Sequence, residues 1–131
     1  MRMTSTYRPR RSVLYMPAAN ERALEKAKEI EADALIFDLE DAVAPDAKEL
    51  ARDQACSAAS SAEYGKRELT IRCNGLDTPW GRDDVLAAAA AAPAAVVIPK
   101  VDGPEYLDEI STLLEAGGAP PSTQIWAMVE T

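Results

Sequence analysis

Five short hydrophobic runs, each followed at once by a polar or charged residue, recur along the 131-residue chain. Strands buried on both faces have such nearly continuous hydrophobic runs, and the segments between them have helical patterns. Regular alternation of strands and helices predicts a parallel sheet in an α/β fold. The predicted strands cover residues 12–16, 34–37, 69–71, 95–98 and 124–129.

Four helices are predicted between these strands. Asn20 is a good N-cap for the first helix. Asp46, with Glu49 three residues later, has the spacing of a capping box for the second. Pro104 suits the first turn of the fourth, which should end at a pair of glycines. The predicted helices cover 20–32, 46–62, 83–92 and 104 to the glycines at 117 and 118.

Two architectures fit this order of strands and helices. A small doubly wound α/β domain fits a chain of this length, but it normally ends with a helix that covers the last strand. Here a hydrophobic strand comes last. A (β/α)8 TIM barrel needs about 250 residues, so we expect the N-terminal part of such a barrel, with five parallel strands and four helices. Residues 1–11 would be a basic tail, and residues 12–131 the first half of the barrel domain, truncated after strand 5.

The chain is acidic, and this narrows the range of partners. It has 14 Lys and Arg against 22 Asp and Glu, a net charge of −8, which argues against nucleic acid or an anionic membrane as partner. No run approaches the roughly 20 residues of a membrane helix, and residues 1–11 lack the apolar centre of a secretion signal. We expect a cytoplasmic protein with Cys56 and Cys73 as free thiols. The arginines of the first eleven residues fit either a solvated tail or an anion-binding segment.

Three carboxylates follow the second predicted strand. Alternation sends Asp38 and Glu40 to the same side, with Asp41 in the loop beyond. Carboxylates this close repel one another unless a cation or an arginine compensates them, so the cluster is either such a site or a solvated loop. The chain has no histidine, so any metal site must use oxygen ligands, which points to Mg²⁺, Mn²⁺ or Ca²⁺.

Charged residues also follow the third, fourth and fifth strands. Arg72 offers a planar fork suited to a substrate carboxylate, or it forms an internal ion pair with the acidic cluster. Lys100 fits a phosphate or carboxylate contact or a solvated position. Glu130 follows the fifth strand, where a lone glutamate is ordinarily only structural. In a curved parallel sheet these groups would converge on one rim, where barrels carry their active sites.

Several motifs resemble the citrate lyase β-subunit-like family, within the HpcH/HpaI aldolase/citrate lyase superfamily of (β/α)8 barrels. The resemblance covers nearly the whole chain from Arg10 onward. It is carried by Arg11-Ser-Val-Leu-Tyr-Met-Pro17, Phe37-Asp-Leu-Glu-Asp-Ala-Val43 with Lys48 and Arg52, Arg72-Cys-Asn74, Val97-Ile-Pro-Lys100 and Trp126-Ala-Met-Val-Glu-Thr131.

The resemblance implies a Mg²⁺-dependent carbon–carbon lyase. Its substrate would be a 3-hydroxy-3-carboxylate acyl thioester of the citryl-, citramalyl- or malyl-CoA type, on CoA or an acyl-carrier protein, cleaved to an acyl thioester and an oxo acid. A homo-oligomer, trimer or hexamer, is also implied. The implied roles are Mg²⁺ binding for Glu130, catalysis for Arg72, Glu40 and Asp41, substrate binding for Arg72, Asn74 and Lys100, and CoA binding for Arg11, Lys48 and Arg52.

The resemblance also implies an incomplete site. The family's second metal-binding aspartate follows a sixth strand, so these 131 residues should be inactive alone. Two alternatives remain open from the sequence. One is a metal-binding, doubly wound regulatory domain, and the other is a non-catalytic interaction subunit.

Overall fold

The computed structural model describes residues 13–30, 32–40, 43–61, 64, 68–99 and 103–127. Strands and helices alternate along the chain as the hydrophobic pattern predicts. The strands are β1 (Val13–Pro17), β2 (Ala34–Asp38), β3 (Glu68–Arg72), β4 (Ala95–Ile98) and β5 (Gln124–Ala127). The helices are α1 (Glu21–Ala27), α2 (Lys48–Ser60), α3 (Gly81–Ala91) and α4 (Pro104–Ala116), with a 3₁₀ turn (Pro45–Ala47) before α2.

The sheet is parallel throughout, and its spatial order β1-β2-β3-β4-β5 is the order of the sequence. A doubly wound sheet reverses direction at a switch point, so the doubly wound alternative is wrong. Right-handed crossovers in a sequential sheet place all helices on one face. Consistently, α2 packs against α3 and α3 against α4. This is the strand order of a (β/α)8 barrel.

The hydrophobic core lies between the sheet and its helices. Every second side chain along each strand points into this core and is covered by the apolar faces of the helices. Burying each large aliphatic or aromatic side chain contributes about 1.5–3 kcal/mol to the stability of the fold. The fully buried residues of this core include Leu35, Phe37, Leu39, Ile71, Val96 and Ile98 near the sheet and Val85, Ile110 and Leu114 on the helices.

The strand residues in between form the opposite face of the sheet. Their register places them in rows across the strands, and polar side chains are frequent there. The row nearest the carboxyl ends holds Pro17, Asp38, Arg72, Val97 and Trp126, and the next holds Tyr15, Ile36, Thr70, Ala95 and Gln124. An acid and an arginine are therefore direct cross-strand neighbours on this face.

The largest differences from the predicted helix boundaries are at the end of α1 and the start of α2. Asn20 caps α1, accepting a hydrogen bond from the Ala23 N–H at 3.0 Å, but α1 ends at Ala27. Successive i→i−3 hydrogen bonds tighten the chain over residues 28–30, as is common at helix ends. The capping box at Asp46 is wrong, because Pro45 starts a 3₁₀ turn that contains Asp46, and α2 has no side-chain cap.

The other helices are close to prediction. The third begins at Gly81, two residues earlier than expected, and the fourth runs from Pro104 to Ala116 and is capped by Gly117 as expected. The prediction for β5 extends beyond residue 127, outside the described residues. Within the described ranges, no helix has the length and apolar character needed to cross a membrane.

Candidate functional site

A buried acid–arginine pair lies where β2 and β3 end. The Arg72 Nε donates to Asp38 Oδ1 at 2.8 Å, and Nη2 donates to Oδ2 at 2.5 Å. The two side chains are only 8% and 3% exposed. The internal ion pair that the sequence left open is therefore present, and its bidentate geometry fixes the plane of the guanidinium.

Two further groups hold the same arginine. Glu40 Oε1 lies 3.8 Å from Arg72 Nη1, and the guanidinium carbon lies 4.8 Å from the centre of the Tyr15 ring. The hydrogen bond to Asp38 raises the pKa of Arg72 above its ordinary value, and the charges of Asp38 and Glu40 act in the same direction. Arg72 therefore stays charged within this buried cluster.

A buried lysine joins the loops that follow β2 and β3. The Lys48 ammonium donates to the carbonyls of Leu39 at 2.9 Å and Glu40 at 2.8 Å, and to Asn74 Oδ1 at 2.8 Å. Lys48 is 6% exposed, and its ammonium lies 5.2 Å from the centre of the Trp80 ring. The lysine thus binds both loops at the carboxyl edge of the sheet.

Asp84 on α3 extends this network, although it was not among the predicted site residues. Its Oδ1 accepts from Arg52 Nε at 2.8 Å, and its Oδ2 accepts from the Asn74 backbone N–H at 2.9 Å and Nδ2 at 2.6 Å. Burial lowers the pKa of Arg52, but the hydrogen bond and charge of Asp84 outweigh it, so that the pKa is raised. A signal existed in the sequence, since Asp84 shares a helix face with Ala88, and a carboxylate on an apolar face needs an internal partner.

The structure brings some of the predicted site residues together. Arg72 and Glu40 meet at the end of the sheet, while the polar groups of Asn74, Lys48 and Arg52 are used by internal partners. Through these contacts Lys48 and Arg52 stabilise the fold. The contacts lend no support to the predicted CoA contacts of the two residues, which stay predictions. The predicted residues Arg11, Asp41, Lys100 and Glu130 lie outside the described residues.

No group of three or more acidic, cysteine or histidine side chains is arranged to hold a metal within the described ranges. The carboxylates of Asp38 and Glu40 are oxygen donors of the type that Mg²⁺ prefers. Both, however, face Arg72. These two carboxylates alone therefore do not form a Mg²⁺ site, and the predicted ligand Glu130 lies outside the described residues.

The fold and this edge define a (β/α)8-type protein with a buried acid–arginine pair at the carboxyl ends of its strands. Residues 11–131 match the HpcH/HpaI aldolase/citrate lyase family. The chain belongs to this family, which confirms the resemblance drawn from its motifs.

Curated relatives include lyases and a thioesterase. The chain is 48% identical over 123 residues to (3S)-malyl-CoA thioesterase of Cereibacter sphaeroides ATCC 17025, covering 94% of the chain and 41% of the relative. It is 37% identical over 129 residues to citrate lyase subunit beta of Escherichia coli K12, covering 95% and 43%. The chain thus spans about two fifths of the length of these relatives.

Solved structures confirm the fold. RipC from Yersinia pestis is 30% identical, with a TM-score of 0.67 over 92% of this chain and 46% of that one. CitE from Mycobacterium tuberculosis, in complex with magnesium and pyruvate, is 28% identical, with a TM-score of 0.69 over 91% and 44%. Haloferax volcanii malate synthase, in its magnesium/glyoxylate complex, is 23% identical, with a TM-score of 0.75 over 93% and 43%, and shows likeness of fold alone.

Proposed function

We propose that the protein to which this chain belongs is a Mg²⁺-dependent carbon–carbon lyase of acyl thioesters. Its substrate would be of the citryl-, citramalyl- or malyl-CoA type, cleaved to an acyl thioester and an oxo acid. The single observation that carries the proposal is the bidentate Asp38–Arg72 pair at the carboxyl edge of the sheet. The relatives named above support the thioester substrate.

Arg72 is assigned to the carboxylate of the oxo acid. A guanidinium has five N–H donors in one plane, and Asp38 orients that plane through two of them. Tyr15 covers one face of the guanidinium, so the orientation of the Arg72 side chain is fixed before a ligand binds. A fixed arginine of this kind holds the reacting carbon in one orientation.

The remaining assignments complete the proposed site. Glu40 and Asp41 would lie near the metal waters, Asn74 and Lys100 would contact substrate, Arg11 would contact CoA, and Glu130 would bind Mg²⁺. When bound, Mg²⁺ supplies Lewis-acid polarisation of the oxo-acid carbonyl. The chain's own residues bind and orient the carboxylate beside it.

The experiment is product analysis with the full-length protein and malyl-, citramalyl- and citryl-CoA. We expect release of an oxo acid that depends on Mg²⁺ and stops with EDTA, and no turnover by residues 1–131 alone. Arg72→Lys is the informative variant, because it keeps the charge but loses the fork. Lys26→Met on the exposed face of α1 is the control.

A second candidate is hydrolysis of the thioester. It is favoured by the 48% identity to a (3S)-malyl-CoA thioesterase. The two reactions give different products from malyl-CoA, since cleavage of the carbon–carbon bond gives acetyl-CoA and glyoxylate, while hydrolysis gives malate and free CoA. Free CoA without glyoxylate would reject the lyase and support the thioesterase.

A homo-oligomer, trimer or hexamer, in the cytoplasm completes the proposal. Molar mass in solution, measured on the full-length protein, tests the oligomeric state. A monomer that turns over the thioester would remove this part of the proposal and leave the activity in place.

A further inference from the structure

The buried ammonium of Lys48 contacts the chain where it leaves β2. It binds the two successive carbonyls of Leu39 and Glu40. The Leu39 N–H still pairs with the Arg72 carbonyl at 2.9 Å, and the Glu40 carbonyl also accepts from the Val43 N–H at 3.2 Å. Lys48 therefore binds the chain at the point where strand pairing ends and the loop begins.

We infer that Lys48 is a positioning residue for the oxo-acid site: by holding the Leu39 and Glu40 carbonyls, its ammonium keeps the Glu40 side chain beside Arg72. This inference rests on the proposed function and deepens it. It gives Lys48 a part different from the CoA contact implied by the family resemblance.

Burial supports this role over a contact with CoA. Lys48 is 6% exposed, and its ammonium already donates to three protein oxygens and lies against Trp80. Removing an ammonium from water is unfavourable, and a hydrophobic side chain of similar length would avoid it. The ammonium instead fixes the positions of the two loops, because it holds oxygens from both loops at hydrogen-bonding distance.

The consequence for the site follows along the chain. Glu40 lies 3.8 Å from Arg72 Nη1, and the Glu40 N–H donates to Asp38 Oδ1 at 2.8 Å. A shift of the Glu40 backbone would therefore disturb both carboxylates that orient the guanidinium. Asn74, which accepts from Lys48, transmits the same restraint to Asp84 on α3.

The test compares Lys48→Met, Lys48→Arg and the surface control Lys26→Met in the full-length protein. Three quantities are measured: affinity for pyruvate or glyoxylate with Mg²⁺ by calorimetry, affinity for CoA, and amide hydrogen exchange over residues 34–47. We expect Lys48→Met to weaken oxo-acid binding about 10- to 100-fold, the effect typical of removing a partner that orients a ligand-binding group. Exchange at Val43 should accelerate, with CoA affinity unchanged.

Two results would overturn the inference. Weaker CoA binding with unchanged oxo-acid binding would make Lys48 a CoA contact, and a loss of thermal stability alone would make it merely structural. If Lys48→Met does not fold, Lys48→Arg keeps the charge without the point geometry, and wild-type oxo-acid affinity in that variant would reject the inference. If the unmodified protein binds no oxo acid, the proposed function fails, while the exchange of Val43 still decides whether Lys48 holds the loop.

Discussion

Replacing Asp38 by asparagine tests the pair on which the proposed site is built. The substitution keeps the size and shape of the side chain but removes its charge. One oxygen can still accept from Arg72, while the new amide NH₂ faces a guanidinium donor. One of the two hydrogen bonds, at 2.8 and 2.5 Å, is therefore lost, and the buried arginine loses its nearest counter-charge.

The expected loss of stability follows from burial. Removing one partner of a buried ion pair costs about 3–5 kcal/mol, because the other charge is left uncompensated. Glu40 at 3.8 Å and the Tyr15 ring offset part of this, and asparagine retains one hydrogen bond worth about 1 kcal/mol. We therefore expect Asp38→Asn to lower the free energy of unfolding by about 2–4 kcal/mol, against about 0–1 kcal/mol for Glu40→Gln, since exposed or distant pairs contribute little.

Urea unfolding of the full-length protein measures both variants, and an unchanged m-value validates the comparison. Oxo-acid affinity is measured in parallel, and it should fall in Asp38→Asn because the plane of Arg72 is no longer fixed. Equal losses of stability in the two variants would refute the reasoning, since they would mean that Asp38 is not the main partner of the arginine.

Two further predictions concern packing and pH. A Cβ at Gly81 would lie 2.0 Å from the Gly75 carbonyl oxygen, whereas one at Gly103 meets nothing within 4 Å. In thermal melts, Gly81→Ala should therefore destabilise the protein by about 1–3 kcal/mol or more. The control Gly103→Ala should leave the stability unchanged. Burial raises the pKa of Cys56 from 9.0 to about 11, so alkylation of Cys56 should increase about tenfold per pH unit up to that region; a plateau near pH 9 would contradict this. Because the folded-state pKa lies above the unfolded one, the thiol's contribution to stability is present below pH 9 and is lost as pH rises towards 11.

The sequence predicted the strands well because each is a short hydrophobic run with a clear end. Helix ends were harder, since they depend on local turns. Pro45 starts a 3₁₀ turn and takes Asp46 out of the capping position. Nothing in the helical period of α1 reports the i→i−3 bonds that end it at Ala27. The spatial order of the strands separates the barrel from the doubly wound fold. This order was expected from the family motifs, because the hydrophobic periodicity of single strands does not encode it.

The candidate site was predictable where it depends on strand ends. Asp38 and Arg72 each follow a hydrophobic run, and parallel strands in register bring such residues together. The choice between a ligand-binding arginine and an internal ion pair could not be made from spacing, because both need an arginine beside an acid. The network of Lys48, Asn74 and Asp84 spans three elements, and its side-chain directions depend on how α2 and α3 pack.

The two sides of the proposed site come from different parts of the sheet, and this has a consequence for how the site forms. The carboxylate side belongs to three successive strands that pair in register, and this pairing brings Tyr15, Asp38 and Arg72 together. The network through Lys48 and Asp84 then fixes the same edge from the helix side. In the proposed function, the metal side would depend on Glu130 and on strands that follow it in the family. An arginine already oriented within the first three strands would bind a carboxylate without reorganisation, so that binding energy would remain for placing the carbonyl against the metal.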